Sequence, residues 1–301
     1  MGGVGYNYGV PTAATLLHDR LAEQQRDLVA AEAAVRRGDP EGSHDLRVSM
    51  RRIRSALASF RPIVDAGVTD PLRDELRWAG GRLGEARDAE VVAERIVTLL
   101  DEVAADTPPE VLDRLRDRVH ADAAAVRDVA VETLDSERYA AALVLLDAVT
   151  ARPPFTDAAE RKARPLARRR LRREARRVLE LADVAWGTAD ADARAERLHD
   201  VRKRAKRLRY AAEACVPVLG DHAASVAEAA RQIQTTLGTH HDEIVTRAAL
   251  RRIAEADDGD EASAFLLGRL DALEEQAEAR VEHRAAKDVA RLAKVAAKQL
   301  G

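Results

Sequence analysis

The chain has 301 residues, 46% of them hydrophobic, 34% charged and 3% aromatic, with a formal net charge of −3. That length supports one large domain or two medium ones, and a composition dominated by Ala, Leu, Arg and Glu is that of a helical protein packed on Leu, Val and Ala. A single cysteine, Cys215, excludes an intramolecular disulfide framework, suits a reducing compartment and reads as a small buried apolar residue.

Residues 1–11 lack a basic start followed by an apolar core, so no signal peptide is read there, and this Gly-rich segment is expected to be irregular. Helical periodicity then predicts helices over about 12–36, 44–65, 70–83, 87–104, 109–134 and 137–150. A second set follows over about 157–184, 192–216, 221–237, 241–256 and 261–299, the last broken near 284. Breaks are expected at Gly38-Asp39-Pro40, Gly67, Pro108-Pro109, Pro153-Pro154, Gly187, Pro217 to Gly220 and Asp257 to Asp260. The most apolar run, Tyr139 to Leu146, stops at Asp147 and is too short to span a bilayer. The expectation is an all-α, cytoplasmic protein with no membrane partner.

Two stretches of the chain nearly repeat each other. The first is His44-Asp45-Leu46-Arg47, followed by Arg51, Arg52 and Arg54; the second is His199-Asp200-Val201-Arg202, followed by Lys206, Arg207 and Arg209. A further pair, Leu83-Gly84 with Asp88 and Leu237-Gly238 with Asp242, recurs at nearly the same offset. Two landmarks per half imply that whole half-domains were duplicated. The halves, 12–150 and 157–299, are expected to be antiparallel four-helix-type bundles related by a pseudo-two-fold axis and joined into one domain.

On a helical wheel, Arg47, Arg51 and Arg54 fall on the arc of His44, opposite Leu46, Met50, Ile53, Leu57 and Phe60. Arg202, Lys206 and Arg209 take the same arc from His199, opposite Val201, Ala205, Leu208 and Ala212. Arg52 and Arg207 flank the stripes, and Lys203 extends the second. A solvated helix face usually interleaves acids at i,i+4, because like charges at that spacing repel. These stripes carry no acid after the first turn, so a bound anion is the natural neutraliser.

The segment 161–177 adds ten cations against one acid, Glu174. Arg164, Arg168, Arg169, Arg172, Arg173 and Arg176 cover a wide face there and leave a strip of Ala167, Leu171, Ala175 and Val178. The cationic segments 44–61, 161–177 and 199–209 sum to +18 in a chain of net −3. Charge sorted in this way focuses a positive field on a local site. Arg predominates, and its planar guanidinium grips phosphate oxygens in bidentate fashion.

Asp45 and Asp200 read as favourable charges at helix N-termini. Asp88 and Asp242 read as caps or ion-pair partners, and Gly84 and Gly238 as helix ends or close helix contacts. His44 and His199 stay open between anion ligand, cap and metal ligand. No Walker loop, zinc-type spacing or activated nucleophile is found, so no catalytic residue, metal or cofactor is expected.

The duplicated His-Asp-x-Arg motifs and paired Leu-Gly turns resemble the CHAD family, the conserved-histidine α-helical domain, over about residues 12–299. The resemblance implies two pseudo-symmetric helical bundles with a central basic groove or pore that binds inorganic polyphosphate. It also implies recruitment to polyphosphate granules, where a client protein would be held. By motif position it makes Arg47, Arg51, Arg54, Arg202, Lys206 and Arg209 ligand contacts, with His44 and His199 as candidates. Nothing in residues 1–11 could encode the triphosphate-processing domain of many relatives. Two rival readings remain: a nucleic-acid binder using the same cations, disfavoured by the scarcity of aromatics, and a metal-assisted phosphohydrolase using the His and Asp residues, disfavoured by their spacing.

Overall fold

A computed structural model of the chain describes residues 12–39, 41–124, 128–256 and 261–301. The expected irregular segment 1–11 and the expected break at 257–260 lie outside the described residues. The elements are α1 (Ala13–Arg36), α2 (Gly42–Ser59), α3 (Ala66–Glu102), α4 (Pro109–Ala124), α5 (Asp128–Leu134), α6 (Glu137–Ala151), α7 (Ala163–Trp186), α8 (Ala191–Leu219), α9 (Asp221–Glu255) and α10 (Glu261–Leu300), with short 3-10 turns between some of them. The fold is all-α. Its only extended pairings among the described residues are isolated antiparallel bridges between Thr12 and Lys162 and between Val64 and Phe155. No helix of the described residues is long and apolar enough to cross a membrane.

Local chemistry sets several helix starts. Thr12, Ser136 and Asp190 each accept a hydrogen bond from a backbone N–H three residues on, and Asp65 accepts one from the Gly67 N–H at 2.8 Å. Each such cap satisfies a donor that the first turn leaves without a helical partner and contributes about 1 kcal/mol.

Three expectations about helix boundaries are corrected. The breaks placed at Gly84 and Gly238 do not exist, since α3 and α9 run straight through them. A mid-helix glycine costs only about 1 kcal/mol, and the apolar faces continue past it, from Leu83 to Ala93 and from Leu237 to Ala249. The expected break in α10 near residue 284 is likewise absent. Residues 157–160 form a 3-10 turn rather than the start of α7.

The second half packs α7, α8, α9 and α10 as an antiparallel bundle. The first half repeats this with α1, α2 and α3, but α4, α5 and α6 stand where the second half has the single α10. The correspondence is close in burial. Ala13, Leu17, Leu21, Gln24 and Leu28 of α1 are buried, as are Ala163, Ala167, Leu171, Glu174 and Val178 of α7, at a constant offset of 150. Leu46, Met50, Ile53 and Leu57 of α2 match Val201, Ala205, Leu208 and Ala212 of α8 in the same way, at an offset of 155.

One main core draws on both halves, and α2 packs directly against α8. A smaller core joins the far ends of α3 and α9 to α4 and the start of α10. Fully burying a Leu contributes about 1.5–3 kcal/mol, so the apolar arcs of α2 and α8 are held inward. The opposite, cationic arcs are thereby forced toward each other and toward solvent.

Candidate anion-binding site

The cationic arcs of α2 and α8 meet in a cleft of about 360 Å³. α2 contributes Arg51 and Arg54, and α8 contributes Lys203, Arg204, Lys206, Arg207 and Tyr210. The walls come from α3, through Arg73 and Arg77, and from α7, through Arg170, Glu174 and Arg177. Ten cations thus line one hollow with a single acid. Arg51 Nε donates to Tyr210 Oη at 3.5 Å, tying α2 to α8 across the pseudo-two-fold.

Several of the cations are anchored by acids behind them. Arg73 pairs with Asp70 at 2.5 Å, Arg77 with Asp74 at 2.6 Å and Lys203 with Asp200 at 3.0 Å. Buried Glu174 pairs with Arg170 at 3.0 Å and Arg204 at 3.5 Å. Arg51, Arg54, Arg177, Lys206 and Arg207 have no acid within ion-pair distance among the described residues. The electrostatic consequence is strong. Burial, then Arg77, Arg73, Arg207 and Arg51, lower the Arg54 pKa to about 10. Burial, then Arg202, Arg51 and Arg47, lower that of Lys206 to about 8 against a slight opposing pull from Asp242. Both groups are charged at neutral pH at a cost that a bound anion would relieve.

Arg47 and Arg202, the first arginines of the two ladders, lie beside Gly84 and Gly238. A Cβ on Gly84 would meet the Arg47 guanidinium at 2.8 Å, and one on Gly238 would meet that of Arg202 at 3.7 Å. Only at Gly84 does the contact require the missing side chain, since 3.7 Å is an ordinary van der Waals distance. At Gly84 the neighbour in close contact is a side chain rather than a backbone.

The structure does not bring together all the residues singled out from sequence. On α7, the residues at the cleft are Arg170 and Arg177, which the sequence reading passed over. Arg168 and Arg172 lie on the other flank and donate to the Leu300 carbonyl at the end of α10, at 2.8 and 2.5 Å. Arg164 donates to the Val218 carbonyl near the end of α8, and Arg176 pairs with Glu180. Arginines at such ends meet the carbonyls that a helix leaves unsatisfied and its negative dipole pole. Arg169 and Arg173 are solvent-exposed. The buried strip Ala167, Leu171, Ala175 and Val178 is as expected, but a wheel does not tell which of its two flanks faces the cleft.

Arg52 and Arg209 are also diverted. Arg209 Nε donates to Glu213 at 2.7 Å, and Arg52 Nε lies 3.7 Å from the same carboxylate. Arg73, Arg77 and Arg204 join the site without having been assigned to it. The first two sit among Asp70 and Asp74, an alternation that reads as an ordinary solvated face, and only the packing of α3 turns it toward the cleft.

The histidines separate. His44 is exposed. His199 is half-buried and packs on His241 with ring centroids 4.1 Å apart. Burial, then Lys203 and Arg202, lower its pKa. It lines a neighbouring hollow with Asp192, Glu196, Asp200 and Lys203. Buried His240 points instead to Glu282, 3.7 Å away, so the adjacent His240 and His241 do not converge on one ion. Among the described residues no group of three or more His, Cys, Asp or Glu could hold a metal. The side chains of Arg87 and Asp88 lie outside the described part of the chain. Cys215 is buried, which pushes its thiol up to about 12.

Comparison with known proteins agrees with this architecture. Two uncharacterized proteins of Mycobacterium tuberculosis, from strains CDC 1551 and H37Rv, are each 34% identical over 238 residues, covering 78% of this chain and 44% of their own length. The chain thus spans less than half of the curated relatives it matches. The structure of PptA from Streptomyces chartreusis superposes with a TM-score of 0.73 at 22% identity, over 92% of this chain and 99% of that one. The crystal structure of the CHAD domain from the plant Ricinus communis gives a TM-score of 0.69 at 27% identity, over 92% and 91%. The family model for the CHAD domain matches residues 19–251. With that match across most of the chain, and the paired basic helices facing each other as the fold requires, this protein belongs to the CHAD domain family.

Proposed function

We propose that the cleft binds inorganic polyphosphate without catalysis and so localises the chain, or a protein attached to it, to polyphosphate. Family membership supports a polyphosphate-related role. The observation that carries the reading is the set of cations, Arg51, Arg54, Arg177, Lys206 and Arg207, gathered in one hollow with no acid at ion-pair distance. Polyphosphate offers about one negative charge per unit and no base to read, which suits a site whose one lining aromatic is the buried Tyr210. Affinity comes from ion pairing with release of condensed counterions, as for nucleic acids, and falls steeply with salt.

Titration of the protein with long-chain polyphosphate, orthophosphate and single-stranded DNA at about 0.15 M salt tests this. The expected order is polyphosphate well ahead of DNA, with orthophosphate negligible. Equal affinity for DNA would favour a nucleic-acid binder, and steady phosphate release from the polymer would make the protein an enzyme.

A further inference from the structure

The pseudo-two-fold predicts a second cleft, built from α8, α9, α1 and α2, as the mate of the one built from α2, α3, α7 and α8. The residues at the mate positions follow from the matched burial patterns, at offsets of 150, 154 and 155 for the three helix pairs. Most of the differences lower the positive charge available at the mate face.

Ala58 lines the cleft, and its mate is Glu213. That carboxylate reaches both Arg209, the mate of Arg54, and Arg52, the mate of Arg207. On the outer wall, the mate of Arg73 is Ala227, whereas Arg231 is held by Glu228 just as its mate Arg77 is held by Asp74. Arg20, the mate of Arg170, is paired with Glu23 as Arg170 is with Glu174; the mate of Glu174 is the neutral Gln24, but the mate of Arg177 is an acid, Asp27. Ser49 stands opposite Arg204. Glu213 and Asp27 supply acids and Ala227 and Ser49 delete cations, against the single change from Glu174 to Gln24 that removes an acid.

Building on the polyphosphate reading, we propose that the duplicated scaffold keeps one working polyanion cleft, on the α3 and α7 side. Glu213 is the residue that silences the mate face by occupying Arg52 and Arg209. In the first half the same helix position carries a methyl group, so Arg54 and Arg207 stay available. Glu213 therefore sets how many of the ladder cations a polyanion can reach.

The test compares wild type, Glu213→Ala, Glu213→Gln and Glu213→Ala with Arg209→Ala, titrated with polyphosphate at several salt concentrations. Melting curves confirm that each variant is folded. Freeing two guanidiniums is expected to raise affinity several-fold at 0.15 M salt and to steepen the dependence of log K on log salt by about 1–2. Removing Arg209 in addition should reverse most of that gain. In the unaltered protein, chemical modification of arginines provides a second readout. Polyphosphate should protect Arg54, Arg77 and Arg177 and leave Arg20, Arg209 and Arg231 reactive. Equal protection of both sets, or a Glu213→Ala variant no tighter than wild type, would overturn the single-cleft proposal. A wild type that ignores polyphosphate would instead remove the function on which it depends.

Discussion

Lys206 offers the sharpest check on the electrostatic reading, because its cost to the fold and its use in binding have opposite signs. Its ammonium is buried among Arg202, Arg51 and Arg47, and its pKa falls from 10.5 to about 8. The difference corresponds to about 3 kcal/mol against the charged form, reduced to about 2 kcal/mol because the group keeps some contact with water. Lys206→Met keeps the stem and removes the charge. At pH 7 the variant should be more stable than wild type by about 2 kcal/mol, a rise of about 3 °C in Tm for a chain of this length. The sign can be followed with pH. Below pH 8 Lys206 is charged in both folded and unfolded states, and the full penalty applies. Between 8 and 10.5 the unfolded chain binds the extra proton, so wild-type stability climbs with pH; above 10.5 the penalty is gone. Calorimetric melting of both proteins from pH 7 to 10 should show the gap closing, while polyphosphate affinity of the variant at pH 7 falls about tenfold. A variant less stable than wild type at pH 7, or a gap indifferent to pH, would refute the claim that the cleft holds uncompensated charge.

Other expectations follow from the same geometry. Arg51→Glu with Lys206→Glu should abolish polyphosphate binding while far-UV circular dichroism stays helical. Wild-type affinity should fall as pH rises through 8, since Lys206 must be protonated to contribute; isothermal titration in buffers of different ionisation enthalpy would detect the proton uptake. Glu174→Gln leaves Arg170 and Arg204 without their buried counter-charge and should cost about 3 kcal/mol in denaturant unfolding, a loss that added polyphosphate partly restores. Gly238→Ala meets Arg202 only at ordinary van der Waals distance and should stabilise α9 by up to about 1 kcal/mol. Gly84→Ala must displace the Arg47 guanidinium and should alter polyanion affinity more than stability.

Helix content, the duplication and the inward faces of α2, α7 and α8 are all legible along the chain. A helical wheel is a local object, and apolar residues at i, i+3 and i+4 must share a face wherever the helix finally lies. That is why Leu46, Met50 and Ile53 and their mates in α8 are buried as read, and why the ladders of α2 and α8 stand opposite them. The glycines misled because a local signal for a break was outweighed by burial on either side of it.

Which cations converge is a different kind of question, answered only by packing. Arg170 and Arg168 belong to the same run and differ by two residues, yet one lines the cleft and the other caps α10. Their separation of about 200° on the helix means that only one of them can face a given neighbour. Sequence by itself determined that two cationic ladders exist, because spacing along one helix decides it. Tertiary structure alone decided that α3 supplies Arg73 and Arg77, that Glu174 also reaches Arg204 on α8, and that Glu213 also reaches Arg52 on α2. Those contacts join residues far apart in the chain, and their distances depend on how whole helices are rotated and crossed rather than on any local preference.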